Sequence, residues 1–186
     1  MRSMLVLWIV VGVVGVLVLW VVYGYNRLVR NRVRVDNAWS QIDVQLKRRY
    51  DLIPNLVEAV KGYAAHEREV FDDVTRMRSQ AQAAGSVQSQ ADAENGLTRA
   101  INRLIAVAER YPELKASQNF LALQEELTGT ESKIAFSRQF YNDTVGSYNT
   151  LIQSFPSRIV AGVGRFEPKE FFEIEEPARG PVTVQF

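Results

Sequence analysis

The chain has 186 residues, with 22 Lys and Arg against 21 Asp and Glu, for a formal net charge of +1. So even a balance excludes the electrostatic footprint of a nucleic-acid binder, which needs a strongly basic face. The absence of cysteine excludes disulfides and thiolate metal sites, and a single histidine, His66, is too few for a histidine-rich metal centre.

From Met4 to Tyr25 there is no charged side chain, and Val, Leu, Ile, Trp and Gly make up almost the whole run. About 20 such residues in a helix, at about 1.5 Å each, cross the ~30 Å hydrocarbon core of a bilayer. A cleaved signal peptide has a shorter apolar core and a small-residue cleavage site. Here the run ends in Val22-Tyr23-Gly24-Tyr25-Asn26-Arg27, which lacks such a site. The expectation is an uncleaved transmembrane anchor over 1–26, with Leu5, Trp8, Ile9, Leu17 and Leu19 facing lipid. Trp20, Tyr23 and Tyr25 lie at its end, where aromatic rings favour the interface. Beyond it come Arg27, Arg30, Arg32 and Arg34, then Lys47, Arg48 and Arg49, against only Arg2 and the α-amino group before it. The positive-inside bias predicts a single-pass membrane protein with its N-terminus outside and the remainder in the cytoplasm. The four arginines either set this topology or also hold anionic headgroups, at about 1 kcal/mol each.

The middle of the chain reads as helix. Val35, Trp39, Ile42, Leu46, Ile53, Val57, Val60, Ala64, Phe71 and Val74 recur mostly at steps of three and four, with one position skipped near Arg49. Pro54 predicts a kink or restart, with Asp51 as the cap of the restarted piece. From Ala83 to Asn95 the composition is that of a loop. A second stripe runs through Leu97, Ile101, Leu104, Ala108 and Tyr111 to Pro112, and Ser117 is the expected cap of a third. That third stripe takes in Phe120, Leu123, Leu127, Ile134, Tyr141, Val145, Tyr148, Ile152 and Phe155. Gly129 and Gly146 within it mark a bend or a close approach. Stripes of this length predict an all-α antiparallel bundle over 27–155, into which the anchor helix continues.

The end of the chain, 156–186, reads differently. Ser157 to Val163 predicts a short apolar helix. Phe171, Phe172 and Ile174, a turn at Pro177 to Gly180, and alternating Val182, Val184 and Phe186 predict a small hairpin. A hairpin alone is barely stable, so this tail must dock on its own bundle or on another copy. The apolar C-terminus also has the form that adds to a PDZ-type groove.

Four stretches point to a family. NRVRVDNAWSQIDVQLKRRYDLIPNLVEAVKGYAAHE (31–67), YPELKASQNFL (111–121), LQEELTGTESKIAFSRQFYNDTVGSYNTLIQSFP (123–156) and FEPKEFFEIEE (166–176) resemble the LemA family of bacterial membrane proteins. The resemblance implies one N-terminal membrane helix followed by a helical bundle, and no known reaction. It also implies a setting among proteins found beside membrane metalloproteases and in organelle-building gene sets.

Reactive constellations are not found in the sequence. His66-Glu67 begins a zincin motif, but position 70 is Val70 where the second histidine belongs. There is no G-x-S-x-G elbow and no phosphate loop. Glu125, Glu126, Glu131 and Asp143 lack the Glu-x-x-His partners of a di-iron bundle and read as a solvated face. Neither catalytic residues, metal ligands nor a cofactor are expected. A polar set stands out instead: Arg49, Asp51 and Asn55 about Pro54, with Arg138, Asn142 and Asn149 on the long third helix. It is either a partner site at the kink or a buried network that sets helix alignment. The sequence therefore points to a membrane-anchored scaffold that self-associates through Phe171, Phe172 and the tail, or to a regulatory adaptor of a membrane protease or other membrane partner. Its partners would be lipids and further copies of the chain, with no nucleic acid.

Overall fold

The computed structural model describes residues 1–173, and every regular element among them is a helix. In chain order these are α1 (Arg2–Lys61), α2 (Arg68–Ala83), α3 (Val87–Ala108), α4 (Pro112–Lys115), α5 (Gln118–Gln153) and α6 (Ser157–Val163). The all-α class expected from the stripes is what forms. The described residues fall into two compact units, with α1 and α5 contributing to both.

The first unit comprises Met1–Gln41 and Gln139–Lys169. The N-terminal half of α1 is bare: its apolar residues from Met4 through Val18 are all exposed. Burial begins at Leu28 and continues through Val35 and Ala38, and on α5 the buried residues of this unit are Tyr141, Val145, Tyr148 and Ile152. The edge of Trp39 meets Tyr141, with ring centroids 5.3 Å apart. Helix α6 joins through Val160 and Ala161. Its partner position on α1 is Gly24, where an added Cβ would lie 3.3 Å from Val160 Cγ2. The chain then reverses over Gly164, whose missing Cβ would otherwise collide with the ring of Phe166 at 2.6 Å.

The second unit comprises Ile42–Arg138 and the described residues from Glu170. The apolar stripe of α1 continues through Ile42, Leu46, Ile53, Leu56 and Val60, all buried. Helices α2 and α3 pair as a hairpin across the short link 84–86. Helix α3 starts well before Leu97, because Ser86 forms a capping box with Ser89: Ser89 N–H donates to Ser86 Oγ at 3.1 Å and Ser86 N–H to Ser89 Oγ at 3.0 Å. Much of the stretch from Ala83 to Asn95, loop-like in composition, is therefore helix, with Ala91 and Glu94 fully buried. No Cβ contact awaits a side chain at Gly129, so that glycine marks no close approach.

The expected hairpin is not seen where it is described. Phe171, Phe172 and Glu173 lie in neither strand nor helix, and Phe172 is wholly buried, so its ring serves the core. Ile174, the Pro177 to Gly180 turn, Val182, Val184 and Phe186 lie outside the described residues.

Pro54 does not interrupt α1, and Asp51 is an interior helical residue rather than a cap. The physical reason is visible one turn back. Proline at 54 has no N–H, so the carbonyl of Tyr50 loses its ordinary partner four residues on. Arg78 of α2 supplies the replacement, its Nε–H donating to that carbonyl at 2.7 Å. The defect in one helix thus becomes a tie to the next. Arg78→Met should cost about 1–3 kcal/mol by leaving a half-buried carbonyl unpaired. In a Pro54→Ala background, where a restored N–H reaches the same carbonyl, the loss should shrink. Urea unfolding of the four proteins in mild detergent measures both; equal losses in the two backgrounds would contradict the compensation.

Candidate functional site

The position skipped by the apolar stripe of α1 is occupied by Arg49, 1% exposed, with Tyr50 beside it. A guanidinium stays protonated at any physiological pH, so it must be matched where it is buried. Arg49 Nη1 donates to Glu94 Oε2 at 2.8 Å, and Nη2 to Thr98 Oγ1 at 2.8 Å, both acceptors on α3. Arg49 Nε lies 2.9 Å from Glu131 Oε1 of α5, a charge contact without the alignment of a hydrogen bond. One cation thereby meets carboxylates from two other helices.

Glu94 is wholly buried and held on several sides. Besides Arg49, its carboxylate accepts from the Tyr50 hydroxyl and, at 3.0 Å, from Gln90 Nε2. Gln90 Nε2 also reaches Tyr50 Oη at 2.9 Å and the Ala81 carbonyl at 3.1 Å, which ties in the end of α2. Burial and the neighbouring Glu94 charge push the Tyr50 phenol far above its ordinary value, so it remains a donor at neutral pH. Burial also raises the Glu131 carboxyl, with Glu94 adding to the shift and Arg49 opposing it. An open crevice of about 260 Å³ reaches these groups, lined by Arg49, Thr98, Gln124, Thr128 and Glu131 among others. Among the described residues no group of three or more His, Asp or Glu is gathered to hold a metal ion. His66 is exposed in the turn after α1.

In the first unit the polar contacts serve a different end. Asn149 clamps the chain after α6: its Nδ2 donates to Lys169 C=O at 2.9 Å, and Lys169 N–H donates to Asn149 Oδ1 at 2.9 Å. The Tyr148 hydroxyl donates to Glu167 C=O at 3.1 Å, and Lys169 Nζ meets Asp36 at 3.2 Å. The rings of Phe166 and Tyr25 meet in a T-shaped contact with centroids 5.6 Å apart, and the guanidinium of Arg32 lies over the Phe166 ring at 5.5 Å.

The residues singled out in the sequence are therefore dispersed. Asp51, Pro54 and Asn55 are exposed; Arg49 is in the ion network and Asn149 is in the clamp. Arg138 and Asn142 are half-buried. Of the anchor residues, Leu5, Trp8, Ile9, Leu17, Leu19 and Tyr23 are exposed and Trp20 is half-buried. Arg27, Arg30, Arg32 and Arg34 are exposed, as is Phe171. Glu94, Tyr50, Gln90 and Thr98 were not singled out, and Glu131 had the look of a solvated face. The signal was a break in each apolar stripe, filled by Arg49 on α1, by Glu94 just before Leu97, and by Glu131 between Leu127 and Ile134.

Fold and site together define a class: a membrane-associated helical protein in which an apolar segment of spanning length runs on as the first helix of a bundle whose apolar core encloses an ion network. The chain belongs to the LemA family, whose model matches residues 38–186. It is similar to the magnetosome protein MamQ 2 of Paramagnetospirillum magneticum, 26% identical over 180 residues, covering 83% of this chain and 66% of that one. MamQ of Magnetospirillum gryphiswaldense is 24% identical over the same length. Protein LemA of Metamycoplasma hominis is 29% identical over 143 residues, covering 73% of this chain and 63% of its own. The chain thus spans about two thirds of the length of the curated relatives it matches.

The raised Glu131 carboxyl fixes the sign of a pH effect. The folded state keeps this proton at higher pH than the unfolded chain, whose ordinary value is 4.5. Through that window the folded state binds more protons, so the contribution of Glu131 to stability falls as pH rises. Glu131→Gln has no such slope and should gain on the wild type between pH 4.5 and neutrality, as read from unfolding free energies at matched pH. A variant that instead loses ground as pH rises would contradict the shift.

Proposed function

We propose that this protein is a membrane-anchored helical scaffold that self-associates in the plane of the bacterial inner membrane. The reading places the N-terminus outside and the bundle in the cytoplasm, in line with the arginines that follow the anchor. The observation that carries it is α1 itself: one unbroken helix begins as a bare apolar segment and farther on carries Arg49 of the buried network. An anchor joined this way continues into folded protein as one helix, with no separate linker segment between them. Confinement of copies to a plane raises their effective concentration, so modest contacts suffice for assembly. Surface for such contacts exists: Val44 and Phe136 in the second unit, and Val33 and Phe140 in the first, are exposed. Among its relatives are proteins named for the magnetosome.

The competing reading is an adaptor that works as a single copy on a membrane protease. Native mass spectrometry of the full-length protein, extracted in mild detergent, separates the two. A defined multimer is the expected outcome, and Phe136→Ser should lower its stoichiometry or abundance while leaving helicity unchanged. A monomer, or a one-to-one complex with another membrane protein, would overturn self-association.

A further inference from the structure

Helix α6 leaves an apolar face uncovered. Val160 and Ala161 point into the first unit, while Ile159 is 55% and Val163 is 84% exposed. These two stand four residues apart and so share one side of the helix. Phe155, in the turn just before it, is 83% exposed. No charge lies on this side, yet Arg158 and Arg165 flank it and are themselves exposed. For a short surface helix the pattern is inverted, with large apolar groups outward although a polar exterior costs nothing.

Its position along α1 supplies the reason. From Met4 to Val22 the apolar segment measures about 28 Å at the helical rise, close to the ~30 Å hydrocarbon thickness of a bilayer. Gly24 lies just past that end, between Tyr23 and Tyr25, rings of the kind that mark the lipid–water boundary. Val160 packs against Gly24, where any side chain larger than hydrogen would crowd it. Phe166, just after α6, meets Tyr25. A helix is about 10–12 Å across with its side chains. The Val160 side of α6 therefore lies at the edge of any bilayer that holds the apolar segment. Interfacial helices insert their apolar face to about 5–10 Å and keep cations at the rim. Ile159, Val163 and Phe155 fit the first role; Arg158, Arg165, Arg27 and Arg30 fit the second.

We propose that α6 is a second membrane contact: its Phe155–Ile159–Val163 face enters the interfacial layer of the same leaflet from which the anchor emerges. The proposal rests on the reading that the apolar segment from Met4 to Val22 crosses the bilayer. Tied to the anchor through Val160 and Gly24, and to α5 through the Asn149–Lys169 clamp, α6 fixes the rotation of α1 about its own axis as well as its depth.

The chain has no cysteine, so single labels can be placed without background. Ile159→Cys, Val163→Cys and Gly12→Cys, each carrying an environment-sensitive fluorophore, are compared in the full chain reconstituted in vesicles containing anionic lipid. A Cβ at Gly12 meets nothing within 4 Å, and Val163 is open, so both labels are accommodated. Quenching is read with lipids carrying a nitroxide either near the headgroup or deep in the acyl chain. The expected result is blue-shifted emission at 159 and 163 that loses most of its intensity to the shallow nitroxide, with the Gly12 label quenched by the deep one. A quenched Gly12 with water-like emission at 159 and 163 would overturn the α6 contact alone. Shielded emission at 159 and 163 that no lipid quenches would overturn it too, by showing protein over the face. An unquenched Gly12 would overturn the anchor, and the α6 contact with it.

Discussion

A guanidinium withdrawn from water must be answered by charge, and this requirement organises the second unit. Breaking a buried ion pair by removing one partner costs about 3–5 kcal/mol, because the remaining charge is stranded. Arg49 on α1 is answered by Glu94 on α3 and Glu131 on α5, so the requirement binds three helices at once. Sliding one of them by a turn displaces its side chain by about 5.4 Å, which takes it beyond hydrogen-bond reach. Apolar stripes tolerate such slips far better, since Leu and Ile on successive turns are nearly equivalent. The network therefore supplies alignment that hydrophobic burial leaves loose. Two further donors reinforce it at no extra charge: the Tyr50 hydroxyl and the Gln90 amide both saturate Glu94.

The first unit solves a related problem by other means. Its strap, from Gly164 to Lys169, has no helix or strand to satisfy its backbone. Asn149 pairs with the strap as a neighbouring strand would, one donor and one acceptor to the same residue, and Tyr148 takes a further carbonyl. Burial raises the Tyr148 phenol above its ordinary range, which keeps it a donor. The rings of Phe166 and Tyr25 then close the contact just beyond the apolar segment. The same economy appears at Pro54, where an orphaned helix carbonyl is matched by Arg78 from outside the helix. In both places an irregular stretch of backbone is met by polar side chains from a helix.

The helices were legible because their apolar periodicity is strong: nearly every stripe residue named on α1 is buried, and α6 spans the residues its composition predicts. The start of α3 was hidden, since Ser86-Val87-Gln88-Ser89 reads as loop until the reciprocal serine cap is seen. Pro54 misled for a similar reason. Proline's cost in a helix is local, but its remedy, Arg78, lies 28 residues away in sequence and only packing brings it close. The ion network was half legible. Arg49 at a skipped stripe position was visible, whereas Glu94 fell in an apparent loop and Glu131 among other acids on a helix with an exposed side. What the sequence lacked was the phase between helices, which decides whether a break in one stripe faces a break in another.

The most direct test of that account is a double-mutant cycle on Arg49→Met and Glu94→Gln, read from urea unfolding of the full chain in detergent. If the charges act as one unit, Arg49→Met alone is strongly destabilising and the double variant recovers part of the loss, with a coupling of about 1–3 kcal/mol. Two losses that simply add would contradict the claim that this network holds the helices in register.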